Sequence, residues 1–268
     1  MTRAVVLARG LGTRMREPDD RVHLSPEQAR AADAGLKAML PIHGRPFLDY
    51  VLSATADAGV RDVALIVAPD HDRLREHFAA AHPERLRVSF VVQPEPRGTA
   101  DAVLAARAWT AGAPFLVMNA DNLYPVDALR ALVAANEPSF PAFDSGDLIA
   151  SSNIPPDRVR AFALVELDAD GYMTSIVEKP ADADGARAGE RRVVSMNCWR
   201  FDARIFDACR DVPASARGEL ELPEAVGLAV ARGMRIRALP ARGPVLDLSR
   251  RADAADVERR LAGVVPWL

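Results

Sequence analysis

The sequence predicts a doubly wound α/β fold with a mostly parallel sheet covered on both faces, and three observations predict it. Short, unbroken apolar runs such as Ala4–Ala8 and Phe115–Asn119 alternate with helix-period segments through the first half. Strands that lack polar alternation are buried on both faces, as parallel strands between helices are. A glycine turn, Gly10-Leu11-Gly12, directly follows the first such run, where open parallel sheets bind ligands.

Taken in order, Ala4–Ala8 reads as the first strand. Pro46–Ala58 reads as a helix, with Phe47, Leu48, Val51 and Leu52 on one face and a stop at Gly59. A strand at Asp62–Ala68, a helix at Asp70–Ala81, a strand at Leu86–Val92 and a helix at Thr99–Ala111 repeat the alternation. Phe115–Asn119 is a further continuous strand, followed by a helix at Pro125–Asn136. The second half changes texture. Arg160–Leu167 and Tyr172–Glu178 form a strand pair around the hairpin signal Asp168-Ala169-Asp170-Gly171. A polar loop at Ala181–Arg192 leads to the strand Val193–Phe201. Helices are expected at Ala203–Ala208, Leu220–Arg232 and Ala252–Ala262, and a strand at Arg235–Leu239. No Pro/Gly/Ser linker divides the chain, so residues 1–268 are expected to form one domain.

Composition narrows the function. Apolar residues make up 49% and charged residues 26% of the chain, as in ordinary globular proteins rather than disordered ones. No apolar run approaches the roughly 18 residues of a membrane helix, and the N-terminal stretch is too short for a secretory signal. Cys198 and Cys209 can build neither a disulfide framework nor a four-cysteine zinc site. The net charge of −3, with acids and bases interspersed, leaves no footprint for nucleic acid or anionic lipid. A soluble, cytoplasmic protein is expected. Of the 34 basic residues only Lys37 and Lys179 are lysine, which singles them out in a chain that otherwise uses arginine.

Five constellations carry chemistry. In Gly10-Leu11-Gly12-Thr13-Arg14, glycines admit a phosphate to backbone N–H groups and Arg14 supplies charge. The loop matches neither the dinucleotide fingerprint nor a Walker A motif. Asp121, in Asn119-Ala120-Asp121-Asn122, ends a strand on the same edge; a carboxylate there either holds Mg²⁺ or caps a turn. Gln93 and Gly98-Thr99 flank another strand-to-helix loop, where an amide side chain can read a nucleobase edge or Thr99 can cap the helix. Glu178-Lys179-Pro180 ends a later strand, and Asp247 follows a short apolar run as a helix cap or a second metal ligand.

In this order the fragments resemble the sugar nucleotidyltransferase (nucleoside-diphosphate-sugar pyrophosphorylase) family. The likeness runs from Leu7-Ala8-Arg9-Gly10-Leu11-Gly12-Thr13-Arg14 through Lys37-Ala38-Met39-Leu40-Pro41 and Gln93 to Gly98-Thr99-Ala100. It continues through Asp121, Glu178-Lys179-Pro180, Asn197, Arg217-Gly218-Glu219 and Leu246-Asp247. Both lysines fall on its motifs. The resemblance implies a single Rossmann-like domain in which a sugar-1-phosphate oxygen attacks the α-phosphorus of a nucleoside triphosphate and releases pyrophosphate. It implies that the glycine loop, Gly10, Gly12, Thr13 and Arg14, holds the β- and γ-phosphates, with Leu7 also binding the nucleotide and Lys37 neutralising charge near the phosphates. It implies Gln93 and Gly98 at the nucleobase, Thr99 among the nucleotide-binding residues, and Mg²⁺ on Asp121 and Asp247. Lys179 would grip the sugar phosphate, with Ala163, Glu178 and Asn197 at the sugar. UTP or dTTP is favoured, with CTP and GTP open, and a homo-oligomer is compatible with the sequence. A cytidylyltransferase acting on a non-sugar phosphate or phosphonate, and a catalytically silent nucleotide-sugar-binding regulator, are the competing readings. Arg9, Ala120 and Phe162-Ala163 stand where the family usually has a small residue, a glycine and Tyr-Gly.

Glu17–Gly35 separates Arg14 from Lys37 and reads as an insertion over the phosphates. Ser25-Pro26-Glu27-Gln28 carries a capping box with proline at the first helical position, so a helix is expected over Pro26–Ala34, ending at Gly35. Its mostly alanine face predicts weak docking and a lid that brings Arg21 and Arg30 over bound phosphates, against the alternative of a static surface helix.

Overall fold

The computed structural model describes residues 2–19, 21–177 and 192–268. Its centre is a mixed sheet in which four neighbouring strands are parallel: Phe115–Asn119, Arg3–Leu7, Asp62–Val67 and Arg87–Val92, in that spatial order. Arg3–Leu7 lies in the middle. The chain runs outward from it to Arg87–Val92, then returns to its other side at Phe115–Asn119. That reversal is the switch point at which open α/β sheets leave a crevice beyond their carboxyl ends.

The parallel half matches the sequence reading closely because its strands face both ways. Ala4, Val6, Leu116 and Met118 enter one buried cluster, where they meet Phe47, Leu48, Val51, Leu52, Leu74 and Leu129 from the helices. Val5, Phe115 and Val117 enter the other, against Val103, Ile205, Phe206, Leu222 and Val226. Alternate residues of one strand thus serve opposite cores, which is why these strands read as continuous apolar runs.

Beyond Phe115–Asn119 the sheet turns antiparallel. Trp199–Phe201 pairs with it, and Ser139–Asp144, Val193–Ser195, Ala163–Leu167 and Met173–Val177 extend the sheet further. Arg237–Ala241 adds a parallel strand on Ser139–Asp144. Here the sequence reading needs correction. Ser139–Asp144 was not expected as a strand, because Pro141 sits in its middle, opposite Leu239. The expected strand Val193–Phe201 is two strands interrupted at Asn197, whose φ of 54° is left-handed. The expected strand at Arg160 begins only at Ala163, after the helix Pro156–Arg160. The long helix over Thr99–Ala111 divides into Thr99–Ala105 and Arg107–Thr110.

Helix Pro26–Asp33 forms as expected, with Ser25 Oγ accepting from Gln28 N at 3.2 Å and Gln28 Oε1 from Ser25 N at 3.0 Å. It is tied down at both ends. The Gln28 amide donates to Pro41 O and Glu258 Oε1 at 3.0 and 2.7 Å, and Arg251 bonds Asp33 at 2.5 Å. Arg251 also donates to Met15 O at 3.0 Å, so one side chain joins the helix to the turn that follows the glycine loop. Among the described residues no helix is long and apolar enough to cross a membrane.

Candidate active site

A cleft of about 340 Å³ opens at the carboxyl ends of the parallel strands. Leu7 ends the first of them and hands the chain to Gly10 and the short helix Thr13–Arg16. Leu7, Gly10, Thr13, Arg14, Lys37, Gln93, Gly98, Thr99, Asp121 and Asn197 all lie in its wall. Residues from five separate stretches of sequence are brought together there.

Gly12 supports the loop without facing the cleft. Its φ of 63° is left-handed, and a Cβ on it would stand 2.1 Å from Gly35 O. Glycine is required on both counts. Gly35 lies immediately before Leu36 and the 3-10 turn Lys37–Met39, so this contact also sets where Lys37 emerges. Lys37 Nζ pairs with Asp121 Oδ2 inside the cleft. Arg9 is a cation that the sequence reading treated only as a departure; its guanidinium lines the cleft and donates to the Gln93 and Pro94 carbonyls at 3.2 and 3.3 Å. His71 and Glu219 also join the wall without having been assigned there. Burial holds the His71 imidazole below the usual range, with Asp70 opposing the shift.

Of the nucleotide-binding candidates on the second loop, Thr99 is already engaged. Thr99 Oγ1 accepts from Leu222 N at 2.8 Å, bracing the start of helix Leu222–Ala231, so one lone pair of its hydroxyl serves the fold. It does not cap its own helix, whose N-cap is Gly98. Gly98 has φ 115°, and a Cβ there would fall 2.4 Å from Leu220 O. Asn197 lines the cleft from the left-handed break between strands, and Tyr124 fixes that break by donating to Met196 O at 2.7 Å.

Two expected residues lie elsewhere. Ala163 is buried at a strand start, paired with Ser195, and its methyl belongs to the core rather than to the cleft wall. Asp247 is buried, and both its carboxylate oxygens are engaged: one by the Arg158 guanidinium, the other by Asn122 Nδ2 at 3.0 Å. The expected pair of metal carboxylates therefore does not face the cleft together. Asp121 does; Asp247 braces it from behind, through Asn122 and through Leu248 N, which donates to Asp121 O at 2.9 Å. Asn153 holds the Asp247 backbone with two bonds of 2.8 Å, and Arg158 reaches a second buried carboxylate, Asp253, at 2.7 Å. Burial raises the Asp247 carboxyl, with Arg158 opposing. Burial also works against the Arg158 charge, but Asp247 and Asp253 outweigh it and raise the guanidinium above the ordinary arginine range. Nothing in the sequence pattern singled out Arg158. Glu178 and Lys179 lie outside the described residues.

Among the described residues no cluster of three or more His, Cys, Asp or Glu side chains could hold a metal alone. The cleft does fit a cation that keeps its waters and shares substrate oxygens: Asp121 offers hard oxygens, and a positive group, the Lys37 ammonium, already rests against them.

Comparison with known proteins agrees with this geometry. The nucleotidyl transferase family profile matches residues 3–247. A glucose-1-phosphate thymidylyltransferase from Actinoplanes sp. is 28% identical over 254 residues, covering 94% of this chain and 75% of that protein. The UTP--glucose-1-phosphate uridylyltransferase AglF of Haloferax volcanii is 25% identical over 258 residues, covering 96% of each. The chain spans about two thirds to three quarters of the thymidylyltransferases it matches. A solved UDP-glucose pyrophosphorylase, complexed with UDP-glucose, shares the fold at a TM-score of 0.74 and 18% identity over 98% of both chains. The chain belongs to the nucleotidyl transferase family.

Proposed function

We propose that this nucleotidyl transferase joins a nucleoside triphosphate, UTP or dTTP, to a sugar 1-phosphate. An oxygen of the sugar phosphate forms a bond to the α-phosphorus, the bond from that phosphorus to the bridging oxygen breaks, and pyrophosphate leaves with the electron pair. A phosphate monoester is already a nucleophile near neutral pH, so the protein's task is positioning and charge neutralisation. The observation that carries the reading is the convergence of Gly10, Thr13, Arg14, Lys37, Gln93, Gly98 and Asp121 on one cleft at the switch point.

The glycine loop and Arg14 receive the β- and γ-phosphates. Lys37, paired with Asp121 in the cleft, turns its ammonium to the triphosphate when nucleotide enters. Asp121 is the residue that would hold Mg²⁺. Bound there, Mg²⁺ supplies charge neutralisation at the phosphates. Asp247 keeps the Asp121 segment in place through Asn122. Asn197, in the cleft wall, is assigned to the sugar hydroxyls; family likeness alone assigns Glu178 to those hydroxyls and Lys179 to the sugar phosphate. The relatives act on glucose 1-phosphate by name, which makes a hexose 1-phosphate the first acceptor to test. Incubation with Mg²⁺, each triphosphate and a panel of sugar 1-phosphates should release pyrophosphate with UTP or dTTP. Silence across every pair refutes the reading.

A further inference from the structure

Gln93 sits at the end of the strand Arg87–Val92, anchored by its own N–H to Val67 O at 2.9 Å, and is only 2% exposed although it lines the cleft. A glutamine amide has two faces: an NH₂ that donates and an oxygen that accepts. Which face meets a ligand depends on what holds the other, and here the neighbours leave no choice. Gln93 Nε2 lies 3.0 Å from Gly98 O and 2.7 Å from Asp101 Oδ2. A carbonyl and a carboxylate both only accept, so both amide hydrogens must point at them. Flipping the amide would set its oxygen against two acceptors. The remaining atom, Gln93 Oε1, accepts no hydrogen bond among the described residues. The neighbouring Gly98 N–H likewise makes none among them.

We propose that Asp101 is a positioning residue that locks the Gln93 amide, so that the cleft presents an acceptor and selects a base bearing an N–H at that point. The inference rests on the nucleotide-binding reading above and sharpens it. Uracil and thymine offer N3–H beside a carbonyl oxygen, which matches Gln93 Oε1 beside the Gly98 N–H. Cytosine in the same pose offers a lone pair at N3, and two acceptors would face each other. Asp101 reaches the base only through Gln93. It stands three residues after Gly98 on the first turn of helix Thr99–Ala105, held near Arg97 at 4.0 Å. A carboxylate fits this role better than an amide there, because Asn could turn its own NH₂ toward Gln93 and allow the flip.

Calorimetric titration of the full chain with UTP, dTTP, CTP and pyrophosphate, each with Mg²⁺, tests this. The wild type should bind UTP or dTTP in preference to CTP. Asp101→Asn should narrow that preference about tenfold, the scale of one exchanged hydrogen bond, with pyrophosphate affinity unchanged. Asp101→Glu keeps an acceptor and should keep the preference. A folded Asp101→Asn variant with an unmoved UTP-to-CTP ratio overturns the lock, as does a wild type that prefers CTP. A wild type that binds no triphosphate at all overturns the functional reading instead. If Asp101→Asn fails to fold, ¹⁵N NMR of the wild-type Gln93 amide decides: protected protons support the lock, and freely exchanging ones overturn it.

Discussion

Replacing Arg158 with Met removes one guanidinium from between two buried carboxylates. Arg158 is 8% exposed, while Asp247 and Asp253 are 6% and 7% exposed. The methionine keeps most of the apolar stem, so the change isolates the charge. Each hydrogen bond to a charged group contributes about 1.5–3 kcal/mol, and two are lost. Removing one partner of a buried ion pair costs about 3–5 kcal/mol, because the other charge stays behind unpaired. A loss of about 4 kcal/mol is therefore expected. At about 2.1 cal/mol/K of unfolding entropy per residue, a chain of 268 residues should melt about 7 °C lower. Burial already raises the Asp247 carboxyl in the folded chain. Without Arg158 that carboxyl takes up its proton more tightly folded than unfolded, so the deficit is largest at neutral pH and shrinks as the pH falls. The Asp247–Asn122 contact braces the segment carrying Asp121, and turnover well below the melting point should fall about 10–100-fold. Thermal denaturation between pH 5 and pH 7, with pyrophosphate release measured at 20 °C, tests both. A melting point within about 2 °C of wild type at pH 7 would refute the reasoning.

Other outcomes follow from the same geometry. Asp121→Asn should abolish pyrophosphate release while leaving circular dichroism unchanged, because Leu248 N holds the segment through the Asp121 carbonyl and Asn keeps a side-chain oxygen for Lys37; near-normal turnover removes Asp121 from the chemistry. Gly12→Ala should destabilise the chain by more than the roughly 1–2 kcal/mol of a left-handed alanine, since its Cβ would lie 2.1 Å from Gly35 O; denaturant titration measures it, and a neutral result refutes the contact. His71, lowered by burial, should titrate in NMR below the usual imidazole range, and its contribution to stability, present above that range, is lost as the pH falls through the lowered pKa; a triphosphate bound beside it should raise its midpoint, and an unmoved midpoint places the phosphates elsewhere. If residues 17–35 close over bound nucleotide, hydrogen exchange there should slow when Mg²⁺ and triphosphate are added; identical exchange leaves Pro26–Asp33 a static helix pinned by Gln28 and Arg251.

Residues whose role depends on local chain geometry were legible. Unbroken apolar runs marked strands buried on both faces, the capping box at Ser25 and Gln28 marked a helix start, and glycines marked the turn that shapes the cleft. Gly10, Gln93 and Asp121 each follow a strand of the parallel half, which was enough to place them on one sheet edge, since parallel strands bring all their carboxyl ends to the same side; Lys37 follows a helix instead, and only the family resemblance assigned it there. Less legible were positions where the pattern is broken on purpose. Pro141 hid a strand, and the left-handed Asn197 divided another.

What the sequence alone determined is the set of groups available to the cleft, because periodicity and turn chemistry act over a few residues and need no partner. Which way those groups face was decided only in three dimensions. Asp247 ends an apolar run in the sequence just as Asp121 does, yet Arg158, 89 residues away in the chain, holds its carboxylate in the interior. Thr99 reads as a cap for its own helix, but its Oγ1 accepts from Leu222 N, contributed from far along the chain. A side chain's hydrogen bonds go to whichever partner the fold sets within about 3 Å, and no local pattern records a partner contributed from so far along the chain.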